Sequence, residues 1–259
     1  MQTLLTGRTH PGVIAELALG LFAVVLLASL ACRLLGAPAA FLVAAMMVYL
    51  AMAALLAWRL PRGSSLGAAN RVTLARGVPV CLLAAALVAP SWLGSHAHWL
   101  VGSAALALAG DGLDGWVARR TGTESAFGAR FDMELDAFLI LVLSLCVIAA
   151  GKAGAWVLAI GGMRYLLVAA MRPWPWLAAP LPESLRRKAV CVWQVASLLG
   201  ALSPWVPVRV AGMLLALSLA LLAWSFALDV RWLQRAARAA GPQAGPETPA
   251  IRTDPDHDR

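Results

Sequence analysis

DGLDGWVARRTGTESAFGARFDMELD, residues 111–136, carries four aspartates whose spacing decides how the chain is read. Asp111 and Asp114 stand three apart and Asp132 and Asp136 four apart, so each pair falls on one face of a helix. A Gly/Thr/Ser-rich turn separates the pairs, and Gly128 ends that turn. Both flanks are apolar enough to lie in a membrane. Carboxylates beside hydrocarbon are costly and are kept for a function or a specific partner. Four of them facing one turn cannot all stay ionised without cations. The reading that follows is a divalent metal site of oxygen ligands: Asp111, Asp114, Asp132 and Asp136.

Composition places this turn in a membrane. The 259 residues are 61% hydrophobic and only 13% charged, against about 25% charged in a soluble domain. The mean hydropathy is +0.77. The chain is therefore expected to be all-α, a polytopic membrane helix bundle. A net charge of +8 could suggest a nucleic-acid partner. That class is excluded because the cations sit singly or in small groups at the ends of apolar runs, as the positive-inside rule describes. There they can attract anionic lipid or an anionic substrate. Cys32, Cys81, Cys146 and Cys191 each sit alone in an apolar run and read as small buried hydrophobes. His96 and His98 have no further ligand types beside them and read as loop residues.

Outward from the aspartates, about eight apolar runs read as crossings: 13–35, 38–58, 70–88, 99–110, 132–150, 155–171, 185–202 and 209–229; the first two are each long enough by themselves, since a span needs about 20 residues. Residues 60–70, LPRGSSLGAAN, are a Pro/Gly/Ser linker and a domain boundary. Residues 90–98 read as a turn, and 171–184, MRPWPWLAAPLPES, as a Pro/Trp loop at interfacial depth. Residues 241–259 have the Pro, Gly and polar content of a disordered tail. Arg8, Arg59, Arg71, Arg119, Arg130, Arg172, Arg186 and Arg231 fall on one side of these crossings, and Arg33, Lys152 and Arg209 on the other. Both termini and the aspartate turn are then cytoplasmic, in the inner (plasma) membrane. No internal repeat is evident.

Gly110, Gly112 and Gly115 surround the first aspartate pair, and small residues let backbone approach a bulky phosphate. Arg119 follows about one turn later, and a guanidinium beside carboxylates and metals suits phosphate oxygens. One pocket thus offers the equipment for chemistry on a pyrophosphate or phosphodiester. Asp111, Asp114, Gly115, Ala118, Arg119, Gly128, Asp132 and Asp136 match the spacing D-x2-D-G-x2-A-R-x8-G-x3-D-x3-D at every position. In this the chain resembles the CDP-alcohol phosphatidyltransferases, over roughly Leu60 to Leu233. Asn70, Thr73 and Arg76 are similar to a second, shorter element of that family, N-x2-T-x2-R.

The resemblance implies a six-helix core over 61–240, preceded by a two-span extension over 1–60. It implies transfer of a phosphatidyl or related group from a CDP-alcohol such as CDP-diacylglycerol to an acceptor hydroxyl, with release of CMP, in phospholipid biosynthesis. Asp111, Asp114 and Asp132 would hold two Mg2+ or Mn2+ ions, with Asp136 bridging them or serving as the base. Gly115, Ala118, Arg119 and Gly128 would line the CDP pocket, with Asn70 and Thr73 facing the nucleotide. A homodimer is the family expectation. Arg164 and Arg172 resemble arginines that phosphatidylglycerophosphate synthase-like members place near the acceptor. With Arg187 and Lys188 they could hold a small polar or phosphorylated alcohol. Tyr165 and Cys191 depart from that subgroup, so unphosphorylated and inositol-type acceptors stay open. Arg164 could equally pair with Asp136 or Glu134, and the Arg186–Lys188 run could merely obey the positive-inside rule. Two rival classes are an ion- or proton-coupled transporter and a catalytically silent membrane partner. The acids cluster at one edge and no halves repeat, unlike many transporters.

Overall fold

The computed structural model describes residues 11–61, 64–121, 125–182 and 184–239, and among these the chain forms helices and no strand. The 241–259 tail lies outside them. The helices are α1 (Pro11–Leu34), α2 (Ala39–Arg59), α3 (Gly67–Ala86), α4 (Pro90–Ser95), α5 (Ala97–Thr121), α6 (Ala126–Ala149), α7 (Leu158–Ala170), α8 (Leu185–Leu202) and α9 (Val208–Ala239). Short 3-10 turns lie at Ala155–Val157 and Pro175–Ala178.

The bundle is apolar outside as well as inside. Leu19, Phe22, Met47, Trp58, Leu166 and Met213 are more than half exposed, and apolar surface of that extent faces lipid rather than water. By length and composition α1, α2 and α9 can each cross a membrane, and shorter apolar helical stretches cover Ala97–Gly110 and Ala155–Ala170. The helices α3, α6 and α8 carry the charged groups described below in their N-terminal halves, which dilutes their apolar character.

The central element is α3. It packs against α1, α2, α5 and α6, and from Arg76 to Leu83 every residue is buried. Pro79 lies inside it, so the Ala75 carbonyl lacks its i+4 donor. Helices α7 and α8 pack on α6, and α9 packs on α8, with ends alternating. At one end Arg71 of α3 bonds Glu16 of α1 (2.7 Å), and Arg186 of α8 bonds Asp229 of α9 (2.5 Å). At the opposite end the Trp92 indole donates to the Leu35 carbonyl (2.8 Å). There too Lys152 donates to the carbonyls of Ser203 (3.2 Å) and Val206 (2.7 Å). Helix α6 stops at that end in a Schellman arrangement: Gly151, at φ 67°, donates to Ile148 and Lys152 N to Val147.

The structure changes some local expectations. Residues 90–98 contain the short helix α4, because Pro90 starts a helix well at its first position. His96 closes it, stacked on Trp92 with its ring nitrogen at the Trp92 carbonyl. The last helix continues past the expected crossing at 209–229 to Ala239, since residues 230–239 contain no Gly or Pro and are rich in Ala and Arg. Its overhang meets the Pro175–Ala178 turn, where Leu177 and Leu233 are buried.

Helices α6 and α7 touch through glycine. A Cβ on Gly161 would stand 2.6 Å from Leu141 Cα and 3.1 Å from its nitrogen, whereas one on Gly162 would meet nothing within 4 Å. Backbone cannot give way as a side chain can. Gly161→Ala should therefore lower the thermal midpoint in detergent, an overpacking cost of about 1–3 kcal/mol. Gly162→Ala should leave it unchanged, and equal midpoints for the two variants would contradict this packing.

Candidate active site

A cation buried in an apolar bundle needs anions within reach. Arg76, whose side chain is 4% exposed, finds them on α6. Its Nη1 donates to Asp132 and its Nη2 to Asp136 (2.6 Å), while its Nε donates to the Ala107 carbonyl of α5 (3.0 Å). One guanidinium thus ties α3, α5 and α6 together. Its planar fork suits this, since each nitrogen points to a different partner. Asp132 and Asp136 keep 34% and 37% exposure, so a polar ligand can reach carboxylates that are already gathered and oriented.

Glycines permit the approach. A Cβ on Gly110 would fall 2.5 Å from Arg76 Cγ and 2.8 Å from its Cδ. A Cβ on Gly128 would fall 2.5 Å from Asn70 Oδ1. Gly128 does not end the turn as the sequence suggested. It lies in the first turn of α6, whose N-cap is Ser125, and the Ser125 hydroxyl accepts from its amide (3.0 Å). Asn70 and Thr73 are buried, and each donates to a carbonyl four residues back, Leu66 (2.5 Å) and Ala69 (3.2 Å). Asn70 Oδ1 faces Gly128 across the α3–α6 contact.

Asp111, Asp114, Gly115, Ala118 and Arg119 continue α5 beyond Gly110, the residue packed on Arg76. Their backbone is helical, and their side chains lie outside the described residues. Among the described residues no three His, Cys, Asp or Glu side chains form a group that could hold a metal. The aspartates that are described, Asp132 and Asp136, are hard oxygen donors one turn apart and partly exposed, which fits half of an all-oxygen site for Mg2+ or Mn2+.

The expected acceptor residues engage separate partners. Arg164 of α7 donates to Glu134 (2.6 Å), and its Nε is buried with no partner among the described residues. Glu134 stands two residues from Asp132, about 200° round α6. Of the two ion pairs left open for Arg164, Glu134 is the one formed. Arg172 is exposed at the end of α7. Arg187 donates to the Pro182 carbonyl and lies 3.6 Å from Asp229, and Lys188 is exposed. Arg186 carries the stronger link, bonding the Ser225 carbonyl (2.6 Å) and hydroxyl as well as Asp229.

Sequence reasoning gave Arg76 no role of its own. The signal was present: an arginine inside an apolar helix has to have a counter-ion. Glu134 and Asp229 had no such signal, because only the fold shows what they face.

Arg76→Ala would remove the cation that bridges two carboxylates one turn apart. Breaking a fully buried pair costs about 3–5 kcal/mol, and the partial exposure of both acids brings the expected loss to roughly 2 kcal/mol. The double variant Arg76→Ala/Asp132→Asn should recover part of that loss in thermal unfolding, because it removes the repulsion. A double variant less stable than the single one would contradict the clamp.

The sequence model of one family, described as CDP-alcohol phosphatidyltransferase, matches residues 66–224. No curated protein and no solved structure matches the chain.

Proposed function

The chain belongs to the CDP-alcohol phosphatidyltransferase family, and from that premise we propose that it transfers a phosphatidyl group from CDP-diacylglycerol to the hydroxyl of a small polar or phosphorylated alcohol. Membership itself makes it a CDP-alcohol phosphotransferase of phospholipid synthesis. The observation that carries the finer reading is the Arg76 clamp. It holds Asp132 and Asp136 together, still partly exposed, beside the end of α5 that continues into Asp111 and Asp114.

In this reading Asp111, Asp114, Asp132 and Asp136 are the ligands for two Mg2+ or Mn2+ ions. Such ions, when bound, neutralise the donor's pyrophosphate and stabilise CMP as it leaves. The chain's own groups do the rest. Arg119, with Gly115, Ala118 and Gly128, receives the cytidine diphosphate, and Asn70 and Thr73 support that pocket from α3. Asp136 takes the proton of the acceptor hydroxyl. The acceptor oxygen then bonds to the phosphorus that carries the diacylglycerol, and the phosphoanhydride bond to CMP breaks. Arg164, Arg172, Arg187 and Lys188 are the cations available to an acceptor phosphate. For Arg164 such a phosphate has to compete with Glu134. The reading includes a homodimer in the inner (plasma) membrane, with termini and site cytoplasmic. The arginines near one end of the bundle support that orientation. It also divides the chain into a two-span extension (1–60), a catalytic membrane domain (61–240) and a tail (241–259).

The test is CMP release by protein purified in detergent, with CDP-diacylglycerol, Mg2+ or Mn2+, and a panel of acceptor alcohols. Release should depend on one acceptor and stop with EDTA. Asp136→Asn should slow it by about 10²–10⁴-fold, the range for loss of a general base, and Asp132→Asn should abolish it. Unchanged turnover in Asp132→Asn would defeat the reading.

A further inference from the structure

A groove of about 340 Å³ lies between α1, α3 and α5, and its lining is almost wholly apolar. Helix α1 contributes Leu27, Leu30 and Leu34, α3 contributes Pro79 and Leu82, and α5 contributes Leu106 with Ser103. Leu27, Leu30, Leu34 and Leu106 are each more than 40% exposed, so the groove is open along its side, toward lipid.

Its position relative to the candidate active site is what gives it meaning. Pro79 and Leu82 lie three and six residues beyond Arg76 on the same helix, about 5–9 Å along its axis. On α5, Leu106 is the residue next to Ala107, whose carbonyl accepts from Arg76 Nε. From there the groove runs away from the aspartates to Trp99 and Leu35, at the end where Trp92 bonds the Leu35 carbonyl. It begins beside the clamp and leads toward the opposite end of the bundle.

We infer that this groove receives an acyl chain of the lipid donor, and that α1 thereby sets the donor's chain-length preference. The inference rests on the proposed donor, a CDP-linked diacylglycerol. A donor whose diphosphate sits at the aspartates has its chains directed along the bundle into the apolar layer. The groove gives one of them a wall on three helices and an open side through which to enter. Without α1 the groove would lose one of its three walls, which gives the first helix a part in substrate selection.

The experiment compares CDP-dipalmitoylglycerol with CDP-dihexanoylglycerol in the unmodified protein, in Ser103→Phe and in Leu30→Trp, which narrow the groove from opposite walls. The dihexanoyl donor is too short to need the groove. In both variants the KM for the dipalmitoyl donor should rise about tenfold, equivalent to roughly two methylenes losing their burial, while the dihexanoyl donor is used as before. Equal KM changes for the two donors, or none for either, would overturn the inference and leave the proposed function standing. If the unmodified protein releases no CMP from either donor with any acceptor, the proposed function falls and the groove assignment falls with it.

Discussion

A guanidinium in an apolar bundle has to find its counter-charges inside the protein, and Arg76 finds both on α6 while bonding a carbonyl of α5 as well. Its three nitrogens reach the Ala107 carbonyl and the carboxylates of Asp132 and Asp136. Ionised acids at that depth would be as costly as the arginine if left alone. Together they fix how α3, α5 and α6 approach one another. The glycines follow from this constraint. Gly110 leaves room for the arginine's stem, and Gly128 leaves room for Asn70 at the neighbouring α3–α6 contact. An alanine at Gly110 would push into the interaction that organises the site, and one at Gly128 into the Asn70 side chain beside it.

Much of this was legible in the chain, because the membrane imposes strong patterns. Long apolar runs gave the helices, and the paired aspartates with their exact-spacing partners gave the family. Local punctuation was harder to read. Gly128 looked like the end of a turn because glycine is common there, yet Ser125, three residues before it, captures its amide and starts the helix earlier. Residues 90–98 looked like a turn because of Pro90, which in fact begins α4. Charge partners were the least legible. Arg164 had two acids within plausible reach on α6, and only the rotation of that helix selects Glu134. Arg186 stands beside Arg187 and Lys188 in sequence, yet it is Arg186 that hydrogen-bonds both Asp229 and Ser225, with Arg187 3.6 Å from the same aspartate.

The two ends of the bundle are built differently. One gathers ion pairs: Arg71 with Glu16, Arg76 with its aspartates, Arg164 with Glu134, and Arg186 with Asp229. The other is closed by neutral acceptors, with Trp92 and Lys152 capping main-chain carbonyls and Trp92, Trp99 and Phe41 in contact. Charge is thus concentrated where an ionic substrate is expected, and the far end holds the helices in place with few charged groups.

The length of α9 has a geometric consequence. Its 32 residues span about 48 Å, while the hydrocarbon layer is about 30 Å thick. A rod that crosses that layer has roughly 18 Å to spare, enough to span the headgroup depth, where Arg231, Arg235 and Arg238 would meet lipid phosphates.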